Sequence, residues 1–196
     1  MSKSPKYHTT ARCTCASVEL QAIGAPITSV ACYCDDCQEG CRQIEALPNA
    51  HPVRDPDGGT AYVLYRKDRV ECSRGAQFLQ DYKIREKSAT NRVVATCCNS
   101  AMFMNFDDSK HWVPVYRARF QGDVPPLQMR ICTKFKPENS DVPSDVRSYS
   151  TFPSGLWRSS LLPELQCCFI DEPWRGAQPF VQSEAASLPY SAECVE

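Results

Sequence analysis

The chain has 196 residues, 22 Lys and Arg against 23 Asp and Glu, and a formal net charge of −1. That length can bury a core of ordinary size in one domain. The charge balance excludes a whole-molecule field that would draw the protein to nucleic acid or to an anionic membrane surface, so partner choice rests on a local site.

The opening "MSKSPKYHTTARCTC" carries neither the apolar core nor the small-residue cleavage site of a secretion signal. No later run approaches the ~18 apolar residues of a membrane helix. The expectation is a soluble, cytoplasmic protein with no membrane partner, and His8 is expected in a mobile terminus. In "ASVELQAIGAPITSVA" the V-E-L-Q alternation followed by Gly24 and Pro26 predicts strand, turn, strand. "CDDCQEGCRQIEAL" is the one stretch with a helical look, weakened by Gly40. "PNAHPVRDPDGG" is loop by composition, and His51 falls within it.

From Thr60 the text turns repeatedly to short β runs: "TAYVLYRKD", "RVECSRG", "QFLQDYKIR", "NRVVATCC", "AMFMNFDD" and "HWVPVYRARF". His111 stands at the start of the last. Beyond Gln121 prolines accumulate; "LQMRICTKF" reads as a strand and "SGLWRSSLLPEL" as an amphipathic turn of helix. The fold expected is mainly β, with short antiparallel strands and few short helices. Residues 11–120 would form the main domain, and residues 121–196 an extension packed on it with a loose tail.

Thirteen cysteines is high usage, and in a reducing compartment such spacing points to metal or catalysis before disulfides. Three groups stand out: Cys13 and Cys15; Cys32, Cys34 and Cys37; Cys97 and Cys98. Two cysteines one to four residues apart can reach one tetrahedral zinc from a single turn, and three such groups along a β chain are hard to explain by packing. Buried free cysteines are otherwise small hydrophobes, a reading that suits Cys72 and Cys132 inside their strand patterns, and the vicinal Cys167 and Cys168. A redox role for Cys34-Asp-Asp-Cys37 would need a βαβ setting, and the acidic pair would raise the attacking thiol's pKa. Cys37 and Cys41 lie four apart on one helix face, so Cys41 is a candidate fourth ligand for a closed site.

The order "RCTCASV", "CYCDDCQ", "YRKDRVECSRG", "CCNSAMF" resembles the glutathione-dependent formaldehyde-activating enzyme family, which includes centromere protein V-like domains. The resemblance covers about residues 11–120 and implies a β-tent zinc fold with one or two zinc ions. It makes Cys13, Cys15 and Cys98 ligands of a structural site, and Cys32, Cys34 and Cys37 a second, catalytic site. The chain departs from the family's pattern at Ala95, where that pattern has a cysteine. Adjacent Cys97 can replace it only if the backbone turns there, because neighbours on a strand point to opposite faces. Ala16 and Asn99 stand where the family has glycines, and Tyr33 where it has histidine.

For the second site the resemblance implies a glutathione sulfur held as a thiolate and added to an aldehyde, or released from the adduct. The expected partner is thus a small thiol or thiol–aldehyde adduct, with glutathione as co-substrate. Arg74, Lys83, Arg85, Lys87 and Arg92 could meet its carboxylates, although alternating charges on strands usually mark a solvated face. The alternative is a non-enzymatic, zinc-stabilised binding module. The acidic ending "VQSEAASLPYSAECVE" argues against nucleic acid as its partner.

Overall fold

The computed structural model describes residues 8–108 and 110–153. The predicted turn of helix in "SGLWRSSLLPEL", the Cys167–Cys168 pair and the C-terminal tail lie outside the described residues. Mainly β architecture is what the sequence predicted and what the chain adopts.

The strands are β1 (His8–Arg12), β2 (Glu19–Ile23), β3 (Thr28–Cys32), β4 (Thr60–Arg66), β5 (Val70–Arg74), β6 (Leu79–Tyr82), β7 (Thr90–Ala95), β8 (Ser100–Phe106), β9 (Trp112–Tyr116), β10 (Met129–Ile131) and β11 (Arg147–Ser148). One α-helix, α1 (Asp35–Glu45), lies between β3 and β4. A small sheet has the order β1-β2-β5, and a large one β11-β10-β3-β4-β9-β8-β7-β6. Pairing is antiparallel except that β10 runs parallel to both β3 and β11. His8 is therefore not in a loose terminus; it opens β1 opposite Ile23.

The predicted strand–turn–strand at the start is present, but its two strands do not pair. Gly24, at φ +84, turns the chain out of the small sheet, and β3 enters the large one. A left-handed residue costs glycine nothing, which is why the break falls there.

Period-2 alternation splits the core into two layers. On β4, Val63 and Tyr65 face a cluster shared with Leu20, Val70 and Phe120, between the two sheets. Tyr62 and Leu64 face a second cluster with Cys41, Ile44 and Tyr116, beneath α1. The helix buries Cys37, Gly40, Cys41 and Ile44, the i, i+3, i+4, i+7 stripe of an amphipathic helix, and Asp35 and Asp36 complement its N-terminal dipole. Gly40 is where the helix passes over the β7 residue Arg92: a Cβ there would lie 1.8 Å from Arg92 Nε.

The segment 121–153 does more than cover the core. Through β10 and β11 it extends the large sheet beyond β3, with Ile131 opposite Cys32.

Candidate metal centres

The first cysteine group gathers where two chain reversals meet. After β1 the chain turns at Thr14–Ser17, with the Ala16 amide donating to the Cys13 carbonyl at 2.9 Å and the Val18 amide to Cys13 Sγ at 3.2 Å. β7 ends at Ala95, and residues 96–99 form a turn, so the strand rule that separates neighbouring side chains does not apply to Cys97 and Cys98. Both thiols join those of Cys13 and Cys15, all four sulfurs within 4.8 Å of one another. The sulfurs are 3.6 Å apart for Cys13–Cys15, 3.8 Å for Cys13–Cys97 and 3.4 Å for Cys15–Cys97. Four thiolates at about 2.3 Å from a tetrahedral zinc would stand about 3.8 Å apart, so the set fits such an ion as it is. Ala16 and Asn99 adopt left-handed φ of 59° and 51°, the backbone state that the glycine-to-Ala and glycine-to-Asn departures must support.

The second group forms where β3 runs into α1. Cys32 ends the strand, Cys34 is the N-cap residue and Cys37 lies in the first turn, its amide donating to the Cys34 carbonyl at 3.0 Å. The three sulfurs lie within 4.8 Å of one another, and this group packs in the layer beneath α1, while Cys13 and Cys98 pack in the layer between the sheets. Cys41, weighed as a fourth ligand, is absent from the group: its thiol is buried and bonds Thr60 Oγ1 at 3.4 Å. Cys132, read from sequence as a packing residue, does pack in the buried cluster beneath α1, where it shares that layer with Cys32, Cys34 and Cys37. A redox role for Cys34 and Cys37 lacks its usual setting, since β3 and β4 are antiparallel and α1 is not the crossover of a parallel βαβ unit.

Crowded thiols cannot all ionise without a cation, and each group shows this. Hydrogen bonds from Cys32 and Cys37 pull the Cys34 thiol down to about 3, while the Cys32 thiol, bonded by Cys132, Cys34 and Cys37, is pushed far up. Hydrogen bonds from Ser17 and Cys97 lower Cys15 to about 6, while burial raises Cys97. A divalent ion would replace the shared protons.

Two arginines point the same way. Arg92, 2% exposed, lies among Tyr62, Tyr116, Cys37 and Cys41 and donates from Nη2 to the Asp36 carbonyl. Its Nε and Nη1 have no hydrogen-bond partner among the described residues, and no carboxylate pairs with it there. The solvated face expected for it does not exist, because Arg92 and Val94 point beneath α1. Arg119 is likewise buried: Nη1 donates to Thr14 Oγ1 at 2.9 Å, Nε is unpartnered, and Cys13 and Cys98 are the sulfurs near it. An uncompensated buried guanidinium is costly. A divalent ion with three or four thiolates carries net negative charge, and one such centre beside each arginine balances it.

Of the other polar residues, Lys83 pairs with Asp107, Arg74 donates to the Ala16 carbonyl, and Arg85 lies 3.7 Å from Asp36 on the surface. His51 is exposed in its loop, and His111 stacks edge-on against Trp112 at 5.2 Å. Cys72 is half-buried and donates to the Arg74 carbonyl.

No protein-family model matches the chain, and a search of curated proteins finds no match either. Among solved structures it is similar to the crystal structure of a Rhodobacter sphaeroides protein from a structural-genomics programme, with 17% identity, a TM-score of 0.42, and coverage of 59% of this chain and 91% of the other. A likeness of that size says nothing about function. Among the described residues no helix is long and apolar enough to cross a membrane.

Proposed function

We propose that the chain is a zinc-dependent lyase-type enzyme that makes or breaks a carbon–sulfur bond in a thiol–aldehyde adduct, with glutathione and formaldehyde as the leading substrate pair. The observation that carries this reading is the contrast between the two groups. Cys13, Cys15, Cys97 and Cys98 supply a full tetrahedral set, whereas Cys32, Cys34 and Cys37 converge as three. Four tightly gathered thiols are the mark of a structural zinc, and three such ligands leave a fourth position for a reactant or for a group that a reactant displaces.

A zinc ion held by Cys32, Cys34 and Cys37 would keep the sulfur of an incoming thiol deprotonated at neutral pH. The thiolate then adds to the aldehyde carbon; the carbon–sulfur bond forms as the carbonyl π bond breaks, and the oxygen takes up the proton the thiol gave. The reverse releases aldehyde and thiol. Three thiolates make the ion a weak electrophile toward a carbonyl, so thiolate delivery suits this donor set better than water activation. Arg92 would offset the charge beneath the site without touching the reactants. The reading supposes a reducing, cytoplasmic setting, which the ten free cysteines of the described residues suit.

Exchange NMR of glutathione and formaldehyde at equilibrium tests it. Zinc-loaded protein should speed interconversion with S-hydroxymethylglutathione, and Cys34→Ser should abolish the effect. No acceleration by the zinc-loaded wild type would overturn the reading.

A further inference from the structure

Cys132 lies one residue past β10, in a left-handed backbone state (φ 61, ψ 30) that a non-glycine residue seldom adopts. Several contacts hold it there. β10 runs parallel to β3 with Ile131 opposite Cys32, and the Tyr33 amide donates to the Ile131 carbonyl at 3.1 Å. Arg130 Nη1 donates to the Tyr33 hydroxyl at 2.6 Å and to Asp57 at 3.0 Å, and the same hydroxyl donates to Asp57 at 2.7 Å. Gln38, in the first turn of α1, donates to the carbonyls of both Tyr33 and Phe135, tying the turn after Cys132 to the Cys-Tyr-Cys segment. Cys132 is 7% exposed and packs in the same buried cluster as Cys32 and Cys37, yet its sulfur stands outside the trio whose sulfurs all lie within 4.8 Å. Beneath the same site sits Arg92, a buried cation with two unpartnered nitrogens, which offsets part of the negative charge that thiolates gathered there would carry.

We propose that Cys132 is the protein's own fourth thiolate for the Cys32–Cys34–Cys37 centre, and the group that an incoming thiol displaces. Its place outside the close trio makes it the loosest of the four. In the exchange Cys132 gives up its place and takes the proton that the incoming thiol loses; one sulfur leaves as another arrives, and no electron changes hands. The resting site is thereby closed to water and aldehyde, and it opens only to a competing thiol. This inference rests on the lyase reading for its substrate class.

Cobalt(II) titration of the full chain reads the number of thiolates directly from the sulfur-to-metal absorption. The second centre is isolated as the difference between wild type and Cys34→Ser. Two variants remove the thiol: Cys132→Ser, and Cys132→Gly, which suits the left-handed backbone and keeps the fold. Both should lose about a quarter of the second centre's intensity, as one ligand of four. Glutathione should restore that intensity in the variants at lower concentration than it perturbs wild type. An unchanged spectrum in Cys132→Gly would overturn the proposal, as would a loss that glutathione fails to restore. A full cobalt response with no acceleration in the exchange assay would sink the lyase reading alone.

Discussion

Arg92 shows how much one buried side chain can say about what a site must hold. Its guanidinium sits beside Cys37 and Cys41 with two nitrogens unpartnered, beneath a helix whose Gly40 leaves it space. Replacing a buried charge with an apolar residue of similar volume is often neutral or stabilising, and what Arg92 would give up is its bond to the Asp36 carbonyl. Arg92→Met should therefore leave the metal-free protein as stable as wild type, or more so. It should also weaken metal binding at the second centre by about tenfold or more, as loss of an outer partner commonly does. Competition with a chromophoric chelator measures this, and equal affinities in the two proteins would remove Arg92 from the account. The residue was legible in "NRVVA" only as a charge in a strand. Alternation gave its face, but both faces of β7 are buried, and that depends on α1 folding over a strand some fifty residues away. Cys132 was hidden for a similar reason: its neighbour Cys32 is brought to it by a parallel pairing that no local pattern announces, whereas the three close cysteine groups advertise themselves by spacing.

At the scale of elements, the strands from Thr60 to Tyr116 and the helix after Cys34 could be read from periodicity, because each carries its own alternation or stripe. The partnering of β2 with β5 and of β3 with β10 could not, since register is settled between segments far apart in sequence. The loop of residues 48–59 illustrates how side chains finish what pattern starts. Glu45, the last residue of α1, accepts the amides of Val53 and Arg54 at 3.0 and 3.1 Å and the Arg54 guanidinium at 2.8 Å, pinning the loop to the helix. Burial pushes its carboxyl up, but the Arg54 hydrogen bond and the two amides outweigh this and hold it below its usual value. A carboxylate with a lowered folded pKa contributes stability that is complete above the unfolded value of about 4.3 and is lost as pH falls through the folded value. Glu45→Gln should cost about 1–3 kcal/mol at pH 7 and less at a pH low enough to protonate the wild-type carboxylate, where the wild type has lost the same contribution. Urea melts at the two pH values check this, and an equal deficit at both would contradict it.

For the whole molecule, the large sheet separates two cysteine groups that could each hold a metal ion. One lies with the small sheet, the other beneath the helix, and each has a buried arginine at its edge. The four-thiol centre joins the turn after β1 to the turn after β7, a link across more than eighty residues that metal would close. Two zincs per chain is the central claim, and elemental analysis of protein purified under reducing conditions without added metal tests it most directly. Wild type should carry about two zincs; Cys34→Ser should keep about one, at the first centre, and Cys97→Ser should keep about one, at the second. One zinc in wild type that survives Cys34→Ser, or none at all, would contradict the account and leave the central cysteines without a metal to hold.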